Sequence, residues 1–291
     1  MNAPQRLREL LNVGNLITAP GAYDGITARF VEQAGFGAVY MTGAGVAAAN
    51  GFPDYGVLTM TEMAAAVAVL ARSVQIPVIA DADTGYGNEL NVTRTVREYE
   101  MRGVAALQIE DQVSPKRCGH LDGKEVVPAD EFVAKIAAAS AARINPDLVL
   151  IARTDSRAVS SLDEAVIRVN RALSAGADIA FIEAPRTMDE IALIPKLVNG
   201  PFLLNLVPGG KTPDLSLDDV AGLGYRLVIL PGLLFVSTMD ACDTALATLR
   251  ETGRAPTTQG RVPIGERFRR MGADEWDALR MRTGAAGTEG R

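Results

Sequence analysis

The chain has 291 residues, 48% of them hydrophobic, with a formal net charge of −6 and a pI near 5.0. That length suffices for one sizeable α/β core, and the acidic balance argues against nucleic acid as a main partner. Two cysteines make no disulfide framework, no apolar run reaches the length of a membrane span, and the start, Met1 to Gly14, lacks the charged-then-apolar profile of a signal peptide. These features predict a soluble cytoplasmic protein with no membrane partner.

In chain order, eight short apolar runs alternate with helical patterns: Leu16 to Ala19, Ala38 to Met41, Pro77 to Ala80, Ala105 to Ile109, Leu148 to Ala152, Ile179 to Ile182, Phe202 to Leu204 and Arg226 to Leu230. Runs that are apolar without alternation predict strands buried on both faces, as in a parallel sheet. Between them, Thr59 with Glu62, Ser161 with Glu164 and Thr187 with Glu190 have capping-box spacing, and Gly35, Gly103 and Gly176 stand where helices stop. Eight β/α repeats predict a closed, TIM-like, eight-stranded parallel barrel over residues 1–250. The competing architecture is an open doubly wound sheet. No Gly-x-Gly-x-x-Gly follows the first strand, however, and Gly43-Ala44-Gly45 is too weak a signal for a dinucleotide. From 251 to 291 the pattern changes to an Arg-rich helical extension carrying Phe268 and Trp276, too short for a domain and expected to pack on the barrel or on a neighbouring subunit.

Such a barrel gathers its chemistry at the C-terminal ends of the strands, so the residues just after each run are the test. They are strongly polar: Tyr40-Met41-Thr42-Gly43, Asp81-Ala82-Asp83-Thr84-Gly85, Gln108-Ile109-Glu110-Asp111, Arg153-Thr154-Asp155, Glu183 and Asn205. Converging carboxylates repel unless something cationic lies between them. Asp81 and Asp83 are two apart, so if the strand runs on they share a side, and with Glu110 of the next strand they make a hard oxygen cluster suited to Mg²⁺ or Mn²⁺. Arg153 and Arg117 have the guanidinium fork that binds a carboxylate, although Arg153 serves equally as an ion-pair partner of Glu183.

The only histidine, His120, and one of the two cysteines, Cys118, share the segment Lys116-Arg117-Cys118-Gly119-His120. Cations beside a thiol favour its thiolate, which predicts a Cys118 able to exchange a proton near neutral pH. A plain basic surface loop is the alternative. A zinc site is excluded, because Cys242 is distant in an apolar helical stretch and no second histidine exists.

Together, Asp81-Ala82-Asp83-Thr84-Gly85-Tyr86-Gly87, Ile109-Glu110-Asp111-Gln112 and Lys116-Arg117-Cys118-Gly119-His120 closely resemble the isocitrate lyase and phosphoenolpyruvate mutase superfamily, from about Ala19 to Pro256. The supporting segments are Phe52-Pro53-Asp54-Tyr55-Gly56, Ile151-Ala152-Arg153-Thr154-Asp155 and Gly209-Gly210-Lys211-Thr212-Pro213. The resemblance implies a Mg²⁺-dependent barrel acting on keto or hydroxy dicarboxylates, usually a homotetramer that exchanges its eighth helix between subunits. The Lys-Arg-Cys-Gly-His form of the loop, a mobile gate in the family, is that of the lyase branch, where Cys118 corresponds to the acid for the carbanion, with Lys116, Arg117 and His120 beside it. By the same resemblance Tyr40, Thr42 and Gly43 hold the keto-acid half, and Asp83 is the nearest metal ligand, with Asp81 and Glu110 direct or through water. Arg153 binds carboxylate, Asp54 stands near the metal waters, Glu183 and Asn205 line the half that holds the departing carboxylate, and Gly119 is a further substrate-binding residue. The hydroxyl base is Tyr40 or a hydroxide on the metal.

One departure bears on the substrate. Many lyase relatives have a hydroxyl and an acidic residue after the counterpart of Asn205, whereas this chain has Leu206-Val207-Pro208. Pro208 removes a backbone donor and Val207 makes the pocket wall more apolar. A third substrate carboxylate left unpaired there costs ~1 to 3 kcal/mol, which favours an alkyl-substituted malate over a tricarboxylate. Methylisocitrate is the alternative if Lys116, Arg117 and His120 pair its third carboxylate once the loop closes. An oxaloacetate decarboxylase or hydrolase on the same scaffold and a non-catalytic binding protein are the competing readings.

Overall fold

The computed structural model describes residues 1–256 and 262–282. The remaining parts of the expected extension, 257–261 and 283–291, lie outside the described residues. Eight parallel strands close into a barrel in sequence order: β1 (Ile17–Ala22), β2 (Val39–Met41), β3 (Val78–Asp81), β4 (Ala106–Glu110), β5 (Val149–Thr154), β6 (Ile179–Ile182), β7 (Phe202–Asn205) and β8 (Leu227–Leu230). β8 returns to β1 through the register Ile17 opposite Leu227.

Several strands run past their apolar stretches. Asp81 pairs with Gln108, Glu110 with Arg153, Thr154 with Ile182 and Asn205 with Ile229, so the polar residues expected just beyond the strands belong to the ladder itself. Their backbones are therefore held as firmly as the core, which suits side chains that must keep a fixed geometry.

The barrel interior is filled by Ile79, Ile151, Phe181, Leu203 and Ile229, and the helix Ala3–Val13 adds Leu7, fully buried, to the same cluster. Two further apolar clusters lie between strands and helices, one built around Met63, Val96 and Phe132, the other around Val169, Ile191 and Tyr225. Thr59 and Glu62 form the reciprocal capping box expected of them. Ser161 and Thr187 make only the forward half, because Glu164 is drawn to Arg168 at 2.7 Å and Glu190 to Arg157. Gly35, Gly103 and Gly176 each follow a helix with positive φ, as helix-stopping glycines do.

The chain divides into two compact units, Met1–Ser237 and Thr238–Arg291. The first contains the barrel. The described part of the second consists of the rest of the helix Leu233–Thr252 with the helices Ile264–Arg270 and Ala273–Arg282, and none of these three helices has a buried residue. Phe268 and Trp276 are both exposed. Among the described residues no helix is long and apolar enough to cross a membrane.

Candidate active site

A cavity of about 220 Å³ opens at the C-terminal ends of the strands. Its polar lining comes from Tyr40, Thr42, Asp54, Asp81, Arg153, Glu183 and Asn205, and Cys118, Gly119 and His120 reach it from the 113–125 segment. Phe181, Val207, Ile229, Phe235 and Val236 make much of the rest. Four expected site residues stand one contact away: Gly43 and Asp83 against Asp81, Glu110 against Arg153, and Lys116 against Asp54.

The carboxylates at the ends of β3 and β4 are buried and incompletely satisfied. Gly43 N–H donates to Asp81 Oδ2 at 3.3 Å, and a Cβ at that glycine would lie 2.6 Å from the same oxygen, so the close approach requires glycine. Asp81 Oδ1 accepts from Asp83 N–H at 3.1 Å and from Gln108 Nε2 at 3.4 Å. Asp83 itself holds a left-handed φ of 45°, a conformation that costs a non-glycine residue on the order of 1 kcal/mol or more. Asp83 Oδ1 and both oxygens of Glu110 lack a well-aligned hydrogen bond.

Charge compensation at this cluster differs from the expectation of a metal alone. Lys116 Nζ stands 3.1 Å from Asp83 Oδ1 and also pairs with Asp54, while Arg153 Nη1 lies 3.0 Å from Glu110 Oε2. Among the described residues no three His, Cys, Asp or Glu side chains form a ready metal cage. The under-satisfied oxygens of Asp83 and Glu110 still fit a hard cation that keeps several of its waters, as Mg²⁺ does. Burial and then the neighbouring Asp83 push the Asp81 carboxyl up to about 6, and burial carries Glu110 well above the usual carboxylate range despite Arg153. A divalent cation on these oxygens would favour their ionised forms.

On β5, Arg153 is already engaged. Its Nε donates to Asp155 Oδ2 at 2.9 Å and lies 3.6 Å from Glu183 Oε2, and its guanidinium stands 5.4 Å from the centre of the Phe181 ring. The ion-pair alternative is therefore realised, with the side chain still facing the cavity. Asn205 Nδ2 donates to Glu183 Oε1 at 3.2 Å, leaving Asn205 Oδ1 buried without a partner. His120 Nε2 faces Glu183 Oε1 at 2.9 Å, and His120 Nδ1 accepts the Lys211 N–H at 2.9 Å. Burial would raise the Glu183 carboxyl, but Arg153 and His120 hold it below its usual range.

Two expectations are corrected. Cys118 is half-buried and its thiol is pushed above its ordinary range, first by burial, with the Asp54 and Glu183 carboxylates adding to the shift. The adjacent cations do not offset this, because Lys116 turns to Asp54 and Asp83 while Arg117 is exposed, 5.8 Å from the centre of the Tyr55 ring. These shifts favour the thiol of Cys118 over the thiolate. Arg117 does not reach the cavity, and neither does exposed Pro208; Val207 does.

Other residues of the site were not singled out from the sequence. Gln108, inside the β4 run, accepts the Tyr40 hydroxyl at 3.1 Å, and a polar residue within an otherwise apolar strand was a usable signal. Burial raises the Tyr40 phenol well above its usual range, so it remains a donor. Asp155 stands in the polar end of the fifth run with no role assigned to it there, and Phe235 carries no comparable signal, since its role depends on where tertiary structure places it.

The neck of the 113–125 segment is closed by the bridge between Gln112 and Val126 and by Val113 N–H donating to Glu125 at 2.9 Å. Its tip carries the cavity residues. We expect the tip to be cut by trypsin at Lys116 or Arg117 more slowly when a dicarboxylate and Mg²⁺ are present than when both are absent. Equal cutting rates would count against a gate.

The family model described as phosphoenolpyruvate phosphomutase matches residues 7–250. A 2,3-dimethylmalate lyase of Eubacterium barkeri is 44% identical over 277 residues, covering 94% of this chain and 96% of its own. A 2-methylisocitrate lyase of Aeropyrum pernix is 42% identical over 247 residues, covering 85% of this chain and 80% of its own. Among solved structures, oxaloacetate acetylhydrolase with the inhibitor 3,3-difluorooxalacetate matches with a TM-score of 0.93 at 36% identity, over 99% of each chain.

Proposed function

The chain belongs to the phosphoenolpyruvate mutase and isocitrate lyase superfamily as a carbon–carbon lyase, and from that premise we propose that it cleaves a 2-hydroxy dicarboxylate bearing alkyl groups, a methylated malate, into a keto acid and a carboxylate. The observation that carries the choice is the composition of the cavity: Val207, Ile229, Phe235 and Val236 beside the charged group of Arg153 and Glu183. Alkyl substituents gain from such a wall, at ~0.8 kcal/mol for each CH₂ buried, whereas a third carboxylate would lose its water there without a partner. Methylisocitrate is the tricarboxylate alternative.

The residues divide the work as follows. The substrate hydroxyl gives its proton to the carboxylate of Asp81, which ends β3 and lines the cavity. The C2 carbonyl forms, the C2–C3 bond breaks, and its electron pair passes to C3, where the departing carboxylate delocalises it. Cys118 Sγ–H then delivers a proton to C3, closing the balance with a keto acid and a saturated carboxylate. Tyr40, whose neutral phenol is favoured by burial and donates to Gln108 Oε1, orients the substrate. Asp83 and Glu110, with buried oxygens that lack hydrogen bonds, would hold Mg²⁺ or Mn²⁺, with Asp81 reached only through water. The cation would supply a Lewis acid for the keto-acid oxygens.

Protein freed of divalent cations is expected to lose activity by about 100-fold or more and to regain it with Mg²⁺ or Mn²⁺. Full turnover in excess chelator would remove the metal from the account. The function itself is tested by incubating the protein and Mg²⁺ with a panel of 2-hydroxy dicarboxylates and identifying the keto acid released. Oxaloacetate belongs in that panel, because the match to oxaloacetate acetylhydrolase makes hydrolysis of oxaloacetate the second reading.

The assembly we propose is a homotetramer in which the helix Leu233–Thr252 docks on a neighbouring subunit. The support is that no residue of this helix is buried, while Met239, Leu246 and Leu249 are exposed apolar side chains.

A further inference from the structure

Lys124 follows Gly123 on the far arm of the 113–125 segment, and its side chain is only 1% exposed although Asp122, Gly123 and Glu125 around it are exposed. A lone buried ammonium is expensive, so its partners say what it does. Nζ donates to Asp155 Oδ1 at 2.7 Å and to the carbonyl of Gly119 within the segment's own tip. Asp155 gives its other oxygen to Arg153 Nε at 2.9 Å. Gly119 lies directly on the same network, for a Cβ there would sit 2.5 Å from Arg153 Nη2 and 2.5 Å from Glu183 Cγ. One residue earlier is Cys118, whose carbonyl accepts the Leu121 N–H at 2.9 Å and so belongs to the same turn.

We propose that Lys124 is a positioning residue: a latch that fastens the tip of the segment to Asp155 on the barrel and thereby sets Cys118 over the cavity. Asp155 does not need Lys124 for charge alone, since Arg153 already pairs with it. Among the described residues, what only Lys124 supplies is the tie between that fixed carboxylate and the backbone of the tip. An irregular arm is thus joined to a rigid strand end by one ammonium with two acceptors. The proposal rests on the reading of Cys118 as the acid only for its effect on turnover; its effect on the position of the thiol is separate.

The test uses the full chain with exposed Cys242 changed to Ser, so that Cys118 is the one thiol left to follow. Lys124→Met and Lys124→Gln are compared with the parent for the rate at which iodoacetamide alkylates Cys118, in protein shown to be folded by its cooperative unfolding transition. The latch predicts alkylation about tenfold faster or more in Lys124→Met, because the freed tip exposes the thiol and removes it from the carboxylates that raise it. Lys124→Gln keeps a neutral N–H donor group without the charge and should fall between. With 2,3-dimethylmalate, kcat should drop about tenfold or more while KM changes little, as when an acid is misplaced and the binding surface kept. Folded variants that alkylate at the parent's rate would overturn the latch, and Lys124→Gln alone decides between these outcomes if the Met variant does not fold. Faster alkylation in the variants, with a parent that itself leaves dimethylmalate uncleaved, would overturn the substrate reading and keep the latch.

Discussion

Replacing Cys118 with Ala is expected to lower kcat for 2,3-dimethylmalate cleavage by about 10² to 10⁴, the usual worth of a positioned general acid, with KM changed little. The thiol touches the cavity but is one of many groups lining it, so its loss removes the proton donor while the clamp on the substrate survives. Its titration gives a second check. Because burial and the Asp54 and Glu183 carboxylates push the thiol above its ordinary range, the acid is present through neutral pH. The alkaline fall in kcat should therefore begin above the free-thiol value of about 8.5 and be absent from the residual activity of the Ala variant. An Ala variant with kcat within about threefold of the parent would assign the proton to another group.

Arg153→Met is expected to have the largest effect on stability. The side chain is 8% exposed and meets Glu110 at 3.0 Å, Asp155 at 2.9 Å and Glu183 at 3.6 Å, all three almost fully buried. Breaking a buried pair by removing one partner costs about 3 to 5 kcal/mol, because the remaining charge is left uncompensated. The sign of the pH dependence follows. In the parent, burial would raise the Asp155 and Glu183 carboxyls, but their cations hold both below the usual range, so their stabilisation is present at neutral pH and is lost as acid protonates them. Without Arg153, Asp155 keeps Lys124 and Glu183 keeps His120, but each loses its largest compensating charge, so burial raises the carboxyls and the variant is penalised more as pH rises. The stability deficit measured by urea unfolding should accordingly be larger near pH 8 than near pH 5. A deficit that does not change with pH would mean that the lost packing against Phe181, and not the charge, explains it.

The barrel was legible because strands covered on both faces leave continuous apolar runs, and eight of them alternate with capped helical patterns. The polar strand ends were legible as a site for the same reason, since the switch from Ile79-Ala80 to Asp81 or from Ile109 to Glu110 marks where the core stops. Charge partners were not legible. Lys116 and Arg117 adjoin Cys118 in sequence, yet one turns toward Asp54 and Asp83 and the other lies near Tyr55, so the thiol meets carboxylates instead of cations. Adjacency along an irregular loop says little about side-chain direction. Lys124 shows the same limit: nothing in its neighbourhood distinguishes it from an exposed lysine until the segment folds back and brings it to Asp155.

The most direct measurement of the central claim compares kcat/KM for 2,3-dimethylmalate, methylisocitrate, isocitrate and oxaloacetate under one set of Mg²⁺ conditions, with the products identified. Cleavage of the C2–C3 bond of dimethylmalate must give pyruvate and propionate in equal amounts. The cavity wall of Val207, Ile229, Phe235 and Val236 predicts that dimethylmalate exceeds isocitrate by about tenfold or more, equivalent to ~1.4 kcal/mol in transition-state binding. A clear preference for a tricarboxylate, or oxaloacetate consumed faster than any hydroxy dicarboxylate, would contradict the account.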